Sequence, residues 1–285
     1  MKKATLILFM IVSALSFSAH SLEDESCGMN LTKEQLKNYR YILVPGILNE
    51  FTATYMTEYR RFLMSSGVPS AQIHRVNLSS FAKPYMAVDT LEEALSELPN
   101  DRAFVFIAHS KGSLETLYFL KKHYKNINFK KAIFIQGPFD GSSMTKLPGE
   151  EAFSGVVKFL IGKLESVEEI KDYNLSYSSK RVRKNLSDLY EHPNLLKKIL
   201  FIESETTYKK LKWKFRALGA QYLEHFGSVG DGVLMGTDHI PFILKNDESI
   251  CRWKYDEDHS NLVKAAPWNR SKIKKIRKFL KRLLL

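Results

Sequence analysis

Residues 103–120 read AFVFIAHSKGSLETLYFL, and this stretch decides the fold of the chain. It opens with six consecutive apolar residues, a run typical of a strand that is covered on both faces. From Leu114 onward, apolar residues recur at helical spacing. The chain must therefore turn sharply at Ser110, which has the small residues Ala108 and Gly112 on either side. Such a turn holds a serine hydroxyl above the end of a sheet and beside a helix N-terminus.

The pattern Ala-His-Ser-x-Gly at residues 108–112 resembles the nucleophile elbow of the α/β-hydrolase superfamily, in the form that some bacterial lipases have. It departs from Gly-x-Ser-x-Gly only at Ala108, which is small enough to keep the turn. The resemblance implies an α/β fold, a mostly parallel sheet flanked by helices, with Ser110 as the nucleophile. The alternative is an ordinary strand–turn–helix whose serine caps the helix.

The loop after the first predicted strand, residues 41–44, reads Pro45-Gly46-Ile47. In the lipases that the chain resembles, this loop supplies one N–H group of the oxyanion hole, although their histidine is replaced here by Pro45. The resemblance implies the N–H groups of Ile47 and Lys111 as the two donors. A plain Pro-Gly turn without that role is the alternative.

Two later segments carry the rest of the resemblance. Residues 230–233, Gly-Asp-Gly-Val, resemble the lipase loop with the catalytic acid, which implies that role for Asp231 in preference to Asp238. Residues 258–263 resemble the lipase pattern Asp-His-x-x-Leu-Val, which implies that His259 is the general base. The order serine, aspartate, histidine along the chain is the order that α/β-hydrolases use.

Two further histidines lie close to these motifs in the sequence. His109 precedes the nucleophile, and we expect its side chain to pack beside the elbow. His239 also follows an aspartate, but it precedes a predicted strand, so we expect it to face away from the site.

Residues 143–198 interrupt the alternation of strands and helices and contain amphipathic segments. They fall between two predicted strands, residues 131–136 and 199–204, on the side of the sheet that carries Ser110. We predict a helical cap or lid here; the alternative is a helical excursion without a gating role.

Residues 1–21 have the features of a secretory signal peptide: a positive start, a short apolar run and the small-x-small sequence Ala-His-Ser at residues 19–21. We therefore predict a hydrolase domain over residues 22–285 and export to the periplasm or the medium; an uncleaved anchor is the alternative. In an oxidising compartment Cys27 and Cys251 are candidates for a disulfide, and two unpaired buried thiols are the alternative.

The chain carries a formal net charge of +12, and residues 270–282 contain eight basic residues and no acidic one. They form a predicted C-terminal helix whose basic face is either solvated or in contact with an anionic membrane surface. We expect no nucleic-acid partner, because no binding motif accompanies the charge. The histidines and cysteines show no metal-ligand spacing, and the predicted chemistry requires no cofactor.

Together these features predict an exported serine hydrolase that cleaves carboxylic esters, of lipids or other acyl compounds, through an acyl-enzyme. An acyltransferase, a thioesterase or a polyester depolymerase would use the same three side chains. A cationic envelope-binding protein on a hydrolase scaffold, without catalysis, is the alternative from a different class.

Overall fold

The computed structural model of the chain describes residues 27–47, 49, 54–80, 82–143 and 175–285. The predicted signal peptide lies outside the described residues, as do residues 144–174 of the predicted cap.

The described strands form one six-stranded sheet in the order β2-β1-β3-β4-β5-β6, and all neighbouring strands in it are parallel. The predicted fold class, helices flanking a mostly parallel sheet, is therefore confirmed. The strands are β1 Tyr39–Val44, β2 Ile73–Arg75, β3 Ala103–His109, β4 Phe129–Ile135, β5 Ile199–Ser204 and β6 Cys251–Tyr255.

Helices connect the strands and cover both faces of the sheet. The described α-helices are α1 Lys33–Leu36, α2 Thr57–Ser65, α3 Pro84–Ser96, α4 Lys111–His123, α5 Ser179–Asn185, α6 Pro193–Leu196, α7 Trp213–Phe226 and α8 Arg270–Leu284. Short 3₁₀ turns lie at Ser70–Gln72, Leu189–Glu191, Tyr208–Lys210, Gly236–His239 and Phe242–Leu244. Over the described ranges, none of the helices combines the length and the hydrophobicity that crossing a bilayer requires.

Alternation along the central strands divides the interior into two apolar layers. Phe104 and Phe106 of β3 face a layer that includes Leu117 of α4. Val105 and Ile107 face the opposite layer, to which α2 and α8 contribute. Because both faces of β3 are covered, its sequence is apolar at nearly every position.

The apolar side of α8 is buried in the second layer through five residues: Ile276, Phe279, Leu280, Leu283 and Leu284. On its polar side Arg277 Nε lies 3.3 Å from Glu58 Oε2, and Lys275 pairs with Glu257. Contact of this helix with an anionic membrane stays a prediction, and it would have to use the charged side alone.

Cys27 and Cys251 form a disulfide with a Cα–Cα distance of 5.3 Å. It links the first described residue to the start of β6, 224 positions later in the chain. The bond therefore closes a loop that contains β1 to β5 and α1 to α7.

Candidate active site

The elbow between β3 and α4 holds Ser110 in a backbone conformation that few residues other than glycine adopt, with φ +53°. Its amide N–H donates to the Ile135 carbonyl at 2.8 Å, which anchors the turn to β4. The hydroxyl does not cap α4. Instead, Ser110 Oγ lies 2.8 Å from His259 Nε2.

The loop after β6 carries His259, which is 7% exposed. Its Nδ1 lies 2.7 Å from Asp231 Oδ2, so the ring lies between the serine and the carboxylate. A backbone hydrogen bond of 2.9 Å from His259 N–H to the Asp231 carbonyl joins the two loops directly. The structure thus brings together the three residues, Ser110, Asp231 and His259, that the sequence placed in one site.

Asp231 is fully buried between two glycines, and Gly230 has φ +56°. A Cβ at Gly230 would lie 2.0 Å from the Leu234 carbonyl oxygen, so the turn requires glycine there. Asp231 Oδ1 accepts from the N–H groups of Val233 and Leu234 at 2.9 and 2.8 Å. Burial alone would raise the pKa of Asp231, but the nearby charge and hydrogen bonds of His259 and His239 hold it well below its usual range.

Asp238 lies elsewhere: its Oδ2 accepts from the N–H groups of Ser143 and Met235 at 2.9 and 3.2 Å. The expectation for His239, however, is wrong. Its ring faces inward, with Nε2 3.4 Å from Asp231 Oδ2. The next strand begins only at Cys251, and the 3₁₀ turn Gly236–His239 directs residue 239 back onto the end of β5.

His109 packs beside the elbow, as expected, with its ring centroid 4.8 Å from that of His259. Its Nε2 lies 3.0 Å from Gln136 Oε1 and 2.9 Å from the His259 carbonyl, which are both acceptors, so Nε2 carries the hydrogen. Its Nδ1 accepts from the Tyr55 hydroxyl at 2.6 Å. Burial and the like charge of His259 lower the pKa of His109 to about 3, so the ring is a neutral bridge.

Gln136 and Ser204, which the sequence analysis did not single out, complete the buried network. Gln136 Nε2 donates to Ser204 Oγ and, at 3.2 Å, to the Asp258 carbonyl. Ser204 Oγ in turn lies 3.4 Å from Asp231 Oδ2. Gln136 directly follows β4 and Ser204 ends β5. Because sites in parallel sheets lie at the carboxyl ends of the strands, these positions could have marked both residues as candidates from the sequence.

Lys212, just before α7, is a third residue that the sequence analysis missed. Its Nζ donates to Ser260 Oγ and Asn261 Oδ1, both at 2.7 Å, and lies 3.2 Å from Asp258 Oδ1. Lys212 therefore holds the loop that carries the candidate base through its side chains, whereas Gln136 contacts the backbone of the same loop.

One candidate oxyanion donor, Lys111, belongs to the elbow itself, and the other, Ile47, belongs to the loop that packs against it. A Cβ at Gly46 would lie 2.7 Å from Ser110 Cβ, so the loop before Ile47 passes directly against the candidate nucleophile. Lys111 N–H is at the first position of α4, where the helix dipole favours negative charge. The Lys111 side chain points elsewhere, donating to Glu115 Oε1 at 2.5 Å and the Ser79 carbonyl at 2.9 Å.

This arrangement can transfer a proton from a hydroxyl to an imidazole while a carboxylate stabilises the resulting charge. Within the described ranges, no group of three or more His, Cys, Asp or Glu side chains is arranged to hold a metal ion.

No protein-family model matches the chain, and no curated protein sequence matches it either. Solved structures do match. A metagenomic carboxyl esterase is 17% identical with a TM-score of 0.62, over 85% of this chain and 71% of that one. The mature form of a Bacillus licheniformis lipase is 17% identical with a TM-score of 0.60, over 87% and 93% of the two chains.

Lipase 1 from Pelosinus fermentans is 10% identical with a TM-score of 0.53, over 87% of this chain and all of that one. At these identities the likeness concerns the fold. The chain has the α/β-hydrolase fold, as its parallel sheet and strand order also indicate.

Proposed function

We propose that the protein is a serine hydrolase that cleaves carboxylic esters through an acyl-enzyme. The observation that carries the proposal is the hydrogen-bonded line from Ser110 Oγ through both ring nitrogens of His259 to Asp231 Oδ2, with distances of 2.8 and 2.7 Å. A serine hydroxyl is a weak nucleophile, and this line supplies the base and the group that orients the base. Fold likeness to esterases and lipases agrees with the proposal.

In the first half-reaction Ser110 Oγ forms a bond to the ester carbonyl carbon while His259 Nε2 takes the hydroxyl proton. The carbonyl π electrons move to its oxygen, and the N–H groups of Ile47 and Lys111 bind the resulting oxyanion. Collapse of this intermediate breaks the carbon–oxygen bond to the alcohol, which leaves with the proton from His259. Asp231 keeps the His259 ring in the tautomer that has its hydrogen on Nδ1.

In the second half-reaction a water molecule replaces the alcohol. His259 takes a proton from the water as its oxygen attacks the acyl carbon, and the same N–H groups bind the second oxyanion. The proton then returns to Ser110 Oγ as the acid leaves, which restores the starting state.

We extend the proposal to lipid or acyl ester substrates and to export. The cap predicted at residues 143–198 would cover the acyl chain of such a substrate, and its described part is joined to the loop after β4 by the Arg183–Asp140 ion pair. Export is supported by the leader-like pattern of residues 1–21 and by the disulfide between Cys27 and Cys251.

A fluorophosphonate probe tests the reaction class. We expect the probe to label the wild-type protein and to spare Ser110→Ala, with Ser113→Ala as the matched control that keeps its label. Label that persists in Ser110→Ala would place the nucleophile elsewhere. No label on either protein would favour the non-catalytic alternative.

A panel of p-nitrophenyl esters with acyl chains of roughly two to sixteen carbons tests the substrate class. Each CH₂ group that is buried on binding contributes about 0.8 kcal/mol. We expect kcat/KM to rise with acyl length if a cap covers the acyl chain. A flat profile would contradict the cap while leaving the hydrolase proposal in place.

A further inference from the structure

His239 is a fully buried histidine that the mechanism above does not use. Its Nε2 lies 3.2 Å from the Ser204 carbonyl oxygen and 3.4 Å from Asp231 Oδ2. The same Oδ2 receives the Nδ1–H of His259 at 2.7 Å. One carboxylate oxygen therefore faces two imidazoles, only one of which reaches the serine.

The partners of His239 decide where its hydrogen is. Both groups near Nε2, the Ser204 carbonyl and the Asp231 carboxylate, can only accept, so Nε2 carries a hydrogen whether the ring is neutral or charged. Nδ1 is buried and has no hydrogen-bond partner among the described residues. A proton added at Nδ1 therefore changes no hydrogen bond, and burial and the surrounding charges together determine whether it is held.

The ionisable groups that act on His239 are acidic. Asp231 is in contact with its ring, Asp238 precedes it in the same turn, and Glu203 lies on β5. Glu205, after β5, also interacts with it electrostatically. Burial acts against a charged ring, but the hydrogen bond and the charge of Asp231, with Asp238 and Glu203, outweigh it and raise the pKa of His239.

Cations in the same region act on other groups. Arg252 and Lys254 on β6 interact with Glu203, and Lys254 Nζ donates to Glu205 Oε2 at 3.2 Å. The charge that His239 experiences most directly is thus that of Asp231.

We propose that His239 is a positioning residue that holds the Asp231 carboxylate toward His259 and lowers the affinity of His259 for its proton. This inference rests on the proposed function, which gives Asp231 and His259 their roles. The His239 N–H group, 3.4 Å from Oδ2, withdraws charge from the oxygen that stabilises the His259 imidazolium, and a proton on His239 Nδ1 would also repel that imidazolium. Both effects have the same sign. Replacement of His239 is therefore expected to strengthen the binding of a proton at His259, which the variants below test.

The pH dependence of kcat/KM on a p-nitrophenyl ester tests the inference, because its acid limb reports the base of the free enzyme. His239→Phe keeps a ring but removes both donor and charge, and we expect the acid limb to move up by about 0.5 to 1 pH unit. His239→Gln keeps an amide donor without the charge, and its limb should move in the same direction by less. His225→Gln, on the exposed side of α7, is the matched control and should leave the limb in place.

A purely structural His239 would lower stability or the plateau rate without moving the limb. An acid limb of His239→Phe that coincides with that of the wild type therefore overturns the inference, whatever the fall in rate. If His239→Phe does not fold, the same criterion applies to His239→Gln.

A measurement without turnover separates this inference from the hydrolase proposal. In Ser110→Ala protein with ¹⁵N-labelled histidines, NMR titration gives the midpoint of His259 directly. We expect the midpoint to rise when His239→Gln is added and to stay unchanged when His225→Gln is added. Ester hydrolysis by the wild type with an unmoved midpoint would refute the role of His239 alone. Absence of ester hydrolysis would refute the hydrolase proposal, while the midpoint would still decide the coupling.

Discussion

Two aspartates, Asp231 and Asp140, are buried near the carboxyl edge of the sheet, with side chains 0% and 2% exposed. Asp231 is surrounded by backbone N–H groups, a serine hydroxyl and two imidazoles. Asp140 is bound by permanent cations: Arg183 Nε at 2.5 Å, Arg183 Nη2 at 2.9 Å and Lys245 Nζ at 2.6 Å. The Arg183 guanidinium also lies 4.0 Å from the centre of the Phe242 ring.

This difference in partners distinguishes a site that can transfer a proton, around Asp231, from one that stabilises the fold, around Asp140. Around Asp231 two partners are imidazoles, whose charge changes when a proton arrives, so the carboxylate can stabilise one state over the other. Around Asp140 the partners keep their charge, and the carboxylate joins α5 of the predicted cap to the loop before β6. The two clusters are adjacent: Asp140 N–H donates to the carbonyl of Asp238, the residue before His239, at 3.1 Å. Substitution of each aspartate can still show that the two clusters have different roles.

The largest expected difference is in activity. Asp231→Asn should lower kcat/KM by about 10⁴-fold, because an amide favours the wrong tautomer of His259 and cannot stabilise its charge. Asp140→Asn should keep kcat/KM within about threefold of the wild-type value, since no reacting group depends on Asp140. Steady-state kinetics on one p-nitrophenyl ester compares the two. A comparable loss of kcat/KM in both variants would contradict the different roles assigned to the two clusters.

The second expectation concerns stability, for which Asp140 is the residue expected to matter. Asp140→Asn should lower the free energy of unfolding by about 2 kcal/mol, a value below that of a fully buried pair because Arg183 is 41% exposed and can turn to solvent. Urea denaturation measures it. Asp256→Asn is the matched control: Asp256 also pairs with a lysine, Lys210, but both side chains are more than half exposed. Equal losses of unfolding free energy in the two variants would show that the Asp140 cluster stabilises the fold no more than an exposed ion pair does.

A smaller effect is expected from Gln136, which connects His109 to the Asp231 side of the network. Gln136→Met keeps the length of the side chain but leaves His109 Nε2 and Ser204 Oγ each short of one partner, so kcat/KM should fall by about tenfold. Gln221→Met, which lies on α7, is the control. Unchanged kinetics in Gln136→Met would mean that Asp231 and His259 are positioned by their own loops.

The smallest expected effect is the pH dependence of the stability difference between the wild type and Asp140→Asn. Burial alone would raise the pKa of Asp140, but hydrogen bonds from Arg183 and Lys245 lower it. The folded protein therefore holds this proton less tightly than the unfolded chain, whose aspartates titrate near about 3.9. The advantage of the wild type should be complete above about pH 5 and shrink as the pH falls through the unfolded value. Urea midpoints at several pH values check this, and a difference that grew on acidification would contradict it.

The sequence by itself was sufficient for much of the architecture. Unbroken apolar runs gave β3, β4 and β5 within two residues of their ends, because strands covered on both faces need apolar side chains throughout. β1 was predicted from residue 41 but begins at Tyr39, because strand ends depend on the neighbour they pair with, here β3. The candidate triad came from local motifs, and in the structure those motifs meet.

Tertiary structure alone decided what surrounds that triad. His239 turned inward, and Gln136 and Ser204 joined the network, because strand ends far apart in sequence meet at one edge of the sheet. The Asp140 cluster likewise draws Arg183 and Lys245 from positions 43 and 105 residues away. Local sequence determines periodicity and turn chemistry, whereas the direction of a side chain in an irregular turn follows from what packs against it. That packing exists only once the sheet has assembled.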